Sequence, residues 1–273
     1  MKILVTGHKG FLGQRVANRL TKLGHEVEGY SLEDGNNILN YNKLSEAVKR
    51  NELVFHLAAQ TDVRKSFNNP NQDYLTNYIG TRNVAQACGK YRKHLIYTSS
   101  AAVYGDTKEV PTKEDSPKLP FSYYGLHKLL AEIPCVSVNA FIIRPFNIYG
   151  AKGHSVINKF IDLLQKKQDI QMFNNGDCTR DYIYVEDVVD ALLLGMNKNG
   201  VFNIGSGKET SLDDLIKIIS KQFGAEPKFK VEGTVLGGEI KRSVANISKA
   251  KARLNWEPKT SLEDGIKHIV TGV

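Results

Sequence analysis

Residues 2–13 read KILVTGHKGFLG, and the fold of the amino-terminal half turns on this stretch. KILVT is an apolar run that suits a buried strand. It leads straight into Gly7, Gly10 and Gly13, spaced GxxGxxG, while Leu12, Val16, Leu20 and Leu23 recur at helical spacing and Gly24 is placed to end the helix. A strand that enters a helix over three glycines meets three demands: a sharp turn, close approach of backbone to a pyrophosphate, and tight packing of helix on sheet. Each favours a residue with no side chain, and the helix amino terminus adds free N–H groups and positive dipole. The context of an amino-terminal strand before and a periodic helix after makes this a dinucleotide-binding loop.

The same alternation continues outward. EVEGY (26–30), LVFHLA (53–58), HLIYTS (94–99) and AFIIRP (140–145) read as further strands separated by helical patterns. Such alternation predicts an α/β, Rossmann-type doubly wound parallel sheet that binds ligands outside the carboxyl ends of its strands. After residue 150 the rhythm changes. Helical patterns run near 155–166, from Ser211, where Ser-x-x-Asp214 resembles a capping box, and from Ser261. The expected division is a dinucleotide-binding domain over 1–150 with a return segment at 180–205, and a smaller α/β carboxyl-terminal substrate lobe from 151–179 and 206–273.

Composition bounds the function. The 273 residues are 41% hydrophobic and 24% charged, as in soluble globular proteins. The formal net charge of +8 comes from scattered Lys and Arg with no dense basic run, which argues against nucleic-acid binding and suits a small anionic ligand. No apolar run approaches the ~20 residues that span a bilayer, and MKILVTG becomes Gly-rich too soon for a signal peptide. Cys88, Cys135 and Cys178 are widely spaced with no CxxC, so neither disulfides nor a metal site is expected and a reducing cytoplasm is the expected compartment.

Residues 122–128, SYYGLHK, place Tyr123 four residues before His127 and Tyr124 four before Lys128, so either pair sets a basic group beside a phenol on one helical face. A phenol with pKa near 10 is a poor base at neutral pH unless its anion is stabilised. Spacing alone leaves both pairs open. The chain carries, in order, HLAA (56–59), YTSSAAVYG (97–105), YxxxK at Tyr124–Lys128, RPFNIYG (144–150), RDYIYVEDVVDA (180–191), NIGSG (203–207) and ISKAKARLNWEPKTSLEDGI (247–266). Together these stretches resemble the extended short-chain dehydrogenase/reductase family, above all its nucleotide-sugar epimerases.

The resemblance implies that Tyr124 is the acid–base group, that Lys128 binds the nicotinamide ribose and, with the positive nicotinamide of the oxidised cofactor, stabilises the phenolate and lowers the Tyr124 pKa, and that Ser100 hydrogen-bonds the reacting hydroxyl. His127 is then read as a surface or packing residue. The implied cofactor is NAD, held by Gly7, Gly10, Phe11, Leu12, Gly13, Ser31, Asn37, Ile38, Leu57, Ala58, Ala59, Asn77 and Phe146 together with Tyr124 and Lys128. The implied substrate is a nucleotide-diphosphate sugar, contacted by Ser100 and Tyr124 and, near its diphosphate, by Asn147 and Arg180. A guanidinium suits that role because its fork of donors binds two oxygens; the bland reading of Arg180 is a salt bridge to Asp181 or Glu186. Asp187 is read as a helix cap.

The 4,6-dehydratases carry an Asp–Glu pair just after the Ser/Thr, and the related decarboxylases usually a Glu. Here those positions are Ala101 and Ala102, which can neither donate nor accept a proton. A Ser–Tyr–Lys set without them does reversible oxidation, so the expected activity is a nucleotide-sugar 4-epimerase of the UDP-glucose/UDP-galactose type. An NADPH-dependent 4-ketosugar nucleotide reductase is the rival, and a non-catalytic nucleotide-binding regulator stands behind it. Ser31 keeps NADP open: where relatives have an acid to grip the ribose, Ser31 tolerates a 2′-phosphate that Lys9 would neutralise, with Glu33 and Asp34 slightly beyond.

Three departures from the family pattern stand out. Leu236-Gly237-Gly238-Glu239 replaces Arg-Pro-Gly-Asp, leaving Arg242 as the nearby substitute, and Asn37-Ile38 replaces Asp-Ile at the adenine. The helical pattern after Lys128 reaches only about Ile133 before Pro134, and prolines rarely continue a helix interior. In the family this helix helps to build a homodimer; a shortened one presents less apolar area and argues against pairing.

Overall fold

The computed structural model describes residues 1–172, 178–224, 229–231 and 240–272. The chain opens with β1 (Lys2–Thr6), α1 (Phe11–Lys22), β2 (Glu26–Tyr30), α2 (Tyr41–Lys49) and β3 (Leu53–His56). A helical run follows as α3 (Val63–Asn68), α4 (Pro70–Asp73), a π-helical stretch (Tyr74–Gly80) and α5 (Thr81–Tyr91). Next come β4 (His94–Thr98), α6 (Tyr123–Ser137) and β5 (Phe141–Pro145). The remainder comprises β6 (Asn147–Tyr149), α7 (Val156–Gln165), β7 (Ile170–Met172), β8 (Thr179–Arg180), β9 (Tyr182–Tyr184), α8 (Val185–Leu194), β10 (Gly200–Ile204), β11 (Thr210–Ser211), α9 (Leu212–Phe223), β12 (Phe229–Val231), β13 (Arg242–Ser243), α10 (Ser248–Leu254) and α11 (Leu262–Thr271).

Six strands form one sheet in the order β10-β5-β4-β3-β1-β2. The pairings β1·β2, β1·β3, β3·β4 and β4·β5 are all parallel, with Ile3 opposite Val27 on one side and Leu53 on the other. This is the doubly wound sheet that the strand–helix alternation predicts. The central strands β3 and β5 are buried at every residue, so Leu53–Phe55 and Phe141–Ile143 read as apolar runs rather than alternating ones. Val16 and Leu20 of α1 lie fully buried, each contributing about 1.5–3 kcal/mol of burial. Gly24 follows the helix in the left-handed region at φ +82°, which stops it where the sequence says it should.

The chain divides into two compact units, 1–105 with 117–144 and 189–202, and 106–116 with 145–188 and 203–273. The division differs from the expected one in giving 106–116, 145–150, 180–188 and 203–205 to the second unit. Strand pairing explains 145–150 and 180–188: β6 pairs with β9 through Asn147–Tyr182 to Tyr149–Tyr184, and β8 lies between β11 and β13. The second unit has its own core, in which Phe160 and Ile161 of α7 meet Leu215, Ile216 and Ile219 of α9 and Ile266 of α11. Ser211 and Ser261 cap their helices by accepting from the N–H of Asp214 and Asp264, at 3.0 and 3.1 Å.

One expectation fails. α6 does not stop near Ile133 but runs through Pro134 to Ser137. The ring removes the hydrogen bond to the Leu130 carbonyl, yet the fully buried Ala131 and Cys135 hold the helix to the core on both sides of it. The helix then closes on Asn139, left-handed at φ +59°, whose N–H bonds the Val136 carbonyl at 2.9 Å. The longer helix carries an outward apolar stripe, with Leu126 39%, Ile133 64% and Val136 58% exposed. Replacing Pro134 by Ala restores the missing bond and should raise unfolding stability by about 2 kcal/mol in denaturant titrations. A loss of stability would refute this account of the helix.

Candidate active site

The glycine loop is built by steric necessity. Gly7 adopts φ +69°, and a Cβ there would stand 2.7 Å from the backbone of Ala58; one on Gly13 would stand 2.0 Å from the Gly7 carbonyl. The turn is fixed by Gly7 N–H donating to Tyr30 O at 2.8 Å and Gly10 N–H to Gly7 O at 2.9 Å. Gly10 caps α1 without a side chain, and no acid occupies the first turn, so the N–H groups of Phe11, Leu12 and Gly13 and the positive helix end are left for an anion. Gly7, Gly10 and Ser31 line one pocket, flanked by Asn37 and Ile38 on one side and Leu57, Ala58 and Ala59 on the other. Backbone donors at one end and apolar walls beyond fit a dinucleotide.

Ser31 sits at the carboxyl end of β2, where its Oγ shares a hydrogen bond with His8 Nδ1 at 2.9 Å and receives the Lys9 N–H at 3.4 Å. The Lys9 ammonium is turned to Asp34, which also lies 3.4 Å from His8 Nε2. Asn37 folds its Oδ1 onto the N–H of Leu39 at 2.9 Å. Ile38 is buried over Gly80, where a Cβ would come within 2.3 Å of its Cδ1. Asn77 is buried next to the loop that follows Ala59. Its amide holds the chain after Ala59, accepting from Gln60 N at 3.0 Å and donating to Gln60 O at 2.9 Å.

The reacting groups gather at the carboxyl end of β4. Ser100, extended at φ −159°, caps the short turn Ala101–Val103 by accepting from Ala102 N at 3.1 Å. Ser122 caps α6 through the N–H of Gly125 at 3.0 Å. Gly125 lets the helix close on that turn, since a Cβ there would lie 2.4 Å from the Ala102 carbonyl. Tyr124 is thereby buried beside Ser100, whose hydroxyl favours its phenolate. One turn on, Lys128 donates to Thr98 O at 2.8 Å and stands 4.9 Å over the Tyr97 ring. Beneath them Glu132 accepts from Ser99 Oγ and from Arg144, at 2.9 and 2.6 Å, and Arg144 reaches Tyr104 at 2.7 Å. Glu132 went unremarked in the sequence, although Tyr124, Lys128 and Glu132 are spaced four apart along one buried face.

Burial dominates the electrostatics of the chain's own groups. Burial pushes the Tyr124 phenol up to about 12; the Ser100 hydrogen bond opposes the rise and the Asp73 charge adds to it. Burial likewise pushes Lys128 down to about 8, against the pull of Cys135, Asp73 and Glu132. Within the chain itself desolvation is the largest cause of both shifts. His127 is not a surface residue either. It is buried, with Nδ1 2.7 Å from Asp73 Oδ1.

The second unit holds the remaining expected residues. Phe146 is buried, its N–H donating to Ile204 O at 2.9 Å. Asn147 donates its backbone N–H and its side-chain amide to Asp181 O, at 3.0 and 3.1 Å. Arg180 lies on β8 with Nη1 on Thr179 O at 2.9 Å, and Asp181 accepts from Ser206, Gly207 and Ala245 N–H groups. Arg242 sits opposite Thr179 on the neighbouring β13 and is clamped by Glu209 at 2.7 Å through two nitrogens. Leu236–Glu239 fall outside the described residues. Asp187 is no helix cap; its carboxylate receives the N–H groups of Lys259 and Thr260 at 3.1 Å and fastens the segment before α11.

The family described as NAD dependent epimerase/dehydratase matches residues 3–205. A UDP-glucose 4-epimerase of Mycolicibacterium smegmatis is 32% identical, the alignment covering 99% of this chain and 97% of that protein. The crystal structure of UDP-glucose 4-epimerase from Thermotoga maritima with UDP-glucose superposes with a TM-score of 0.92 at 32% identity, over 99% of this chain and 98% of that one. UDP-glucuronic acid 4-epimerase from Bacillus cereus, in complex with UDP-glucuronic acid and NAD, gives 0.90 at 28% identity, over 100% of this chain and 99% of that one.

The buried ammonium has a measurable signature. Lys128 in the folded chain titrates near 8 and in the unfolded chain near 10.5, so between these values the unfolded chain binds more protons and stability climbs with pH. The difference in unfolding free energy between wild type and Lys128→Met should therefore grow in favour of the wild type from pH 8 to pH 10.5. A difference that stays flat across that window would contradict the assigned burial.

Proposed function

The chain belongs to the NAD dependent epimerase/dehydratase family, and from that membership we propose that it is a nucleotide-sugar 4-epimerase of the UDP-glucose/UDP-galactose type. The observation that carries the reading is the buried Tyr124 phenol beside the Ser100 hydroxyl, followed in sequence by Ala101 and Ala102, which can neither donate nor accept a proton. When bound, NAD supplies the hydride acceptor and donor and, in its oxidised form, a positive charge in the site. The cradle of Gly7, Gly10 and Leu57–Ala59 with the open N-terminus of α1 would hold it.

The chain's own part is proton handling and orientation. Ser100 holds the C4 oxygen of the sugar while the Tyr124 oxygen takes its proton, which requires the phenol below the value of about 12 that burial sets. Lys128, fixed on the Thr98 carbonyl, keeps a cation one helical turn away. The C4–H and O–H bonds broken in the first half-reaction are remade in the second, with C–H forming on the opposite face and Tyr124 returning the proton. The outcome is inversion with no net redox change. Asn147 and Arg180 would engage the diphosphate.

Dehydration would need an acid and a base where Ala101 and Ala102 stand. The ketosugar reductase reading relied on Lys9 to greet a 2′-phosphate, and its ammonium is already engaged by Asp34. The exposed stripe Leu126, Ile133 and Val136 on a helix longer than expected supports a homodimer.

Tyr124→Phe should cut C4 inversion by at least ~100-fold while thermal unfolding and NAD retention stay as in wild type; undiminished turnover would defeat the assignment. Native mass spectrometry should find NAD on the purified protein, and turnover should need no added cofactor. Stoichiometric consumption of NADPH would instead select the reductase. Light scattering should give twice 30.5 kDa, and a monomer would remove the pairing without touching the chemistry.

A further inference from the structure

Beside Tyr124 and Lys128 lies a buried ionisable pair that the proposed chemistry does not use. Asp73, the last residue of α4, is fully buried. Its Oδ1 meets His127 Nδ1 at 2.7 Å, while its Oδ2 accepts from Gln60 Nε2 at 2.7 Å and Asn77 Nδ2 at 3.0 Å. His127 is itself only 6% exposed and is enclosed by aromatic rings, Tyr74 at 5.4 Å and Tyr123 at 6.2 Å between centroids. A carboxylate this deep is costly unless every lone pair facing the protein is met, and here three donors from three segments meet it.

The three segments matter more than the count. Gln60 directly follows Leu57–Ala59 of the cofactor cradle, Asn77 lies in the π-helical stretch, and His127 sits on α6 between Tyr124 and Lys128. π-Helical turns are rare and concentrate at functional sites. One carboxylate thus fastens the cofactor-side loop to the helix that carries the acid–base group. Misplacing reacting groups by about 1 Å can cost on the order of a hundredfold in rate. Resting on the epimerase reading of the site, we propose that Asp73 and His127 are positioning residues, which hold the Tyr124 phenol in register with the cofactor cradle through a single shared carboxylate. The Asp73 charge also favours the ammonium form of Lys128, against its burial.

The test compares His127→Leu, which removes the N–H donor, with His127→Asn, whose amide nitrogen falls near the place of Nδ1. His127→Leu should lower kcat for C4 inversion ten- to a hundredfold with KM for the nucleotide sugar within twofold, and His127→Asn should restore most of the loss. Hydrogen exchange of the ligand-free chain gives a readout independent of turnover: amides of the first two turns of α6 should exchange faster in His127→Leu than in wild type or His127→Asn. Wild-type kcat in His127→Leu overturns the proposal and leaves the epimerase reading standing. Equal losses in the Leu and Asn variants overturn it too, since shape alone would then explain the effect. If the wild type converts no nucleotide sugar, the underlying reading fails and this inference falls with it.

Discussion

Lys128 keeps an ammonium almost out of water, with the Thr98 carbonyl at 2.8 Å and the Tyr97 ring at 4.9 Å as its nearest compensation. Everything around the site follows from making that burial tolerable. β4 must end with its carbonyl turned to α6, and the Glu132–Arg144 pair, tied to Ser99, holds it so. α6 must approach closely, and only Gly125 permits the contact with the Ala102 carbonyl. Tyr124 then inherits its position, packed where solvent cannot support its anion. The arrangement trades stability for a cation in a dry place, the form of compromise expected where acid–base chemistry is done.

Much of the fold was legible because it obeys short-range rules. KILVT and EVEGY are strands end to end: KILVT is an apolar run whose last four residues are buried, and EVEGY, at the sheet edge, runs up to the buried Tyr30. Gly7 and Gly13 could be read because steric exclusion at a tight turn leaves glycine as the sole answer. Tyr124 and Lys128 were legible through the fixed pitch of a helix. What escaped depends on partners distant in sequence. Asp73 lies 54 residues before His127, and nothing local announces that the two meet. Pro134 misled because its local penalty is real but is outweighed by the burial of Ala131 and Cys135. The extent of Tyr124's burial escaped for a kindred reason: spacing reveals the neighbouring charge, but only packing reveals how little water remains.

The second unit uses carboxylates in another way. Asp181 and Asp187 point at backbone N–H groups of Ser206, Gly207 and Ala245, and of Lys259 and Thr260, and so knit loops that have no sheet partner of their own. Asn147 and Arg180 hang on this framework, Asn147 through the carbonyl of Asp181 itself. Residues that stand within a motif can thus be scaffold, as Asp187 is.

The proline in the last turn of α6 gives that helix two ends of unequal firmness. With the Leu130 carbonyl deprived of its amide partner, unwinding that starts at Ser137 meets a break in the ladder before it reaches Lys128. Fraying is therefore insulated from the turn that carries Tyr124. Beyond the proline Cys135 alone keeps the helix on the core, while Val136 stands outward, able to follow whatever lies against it.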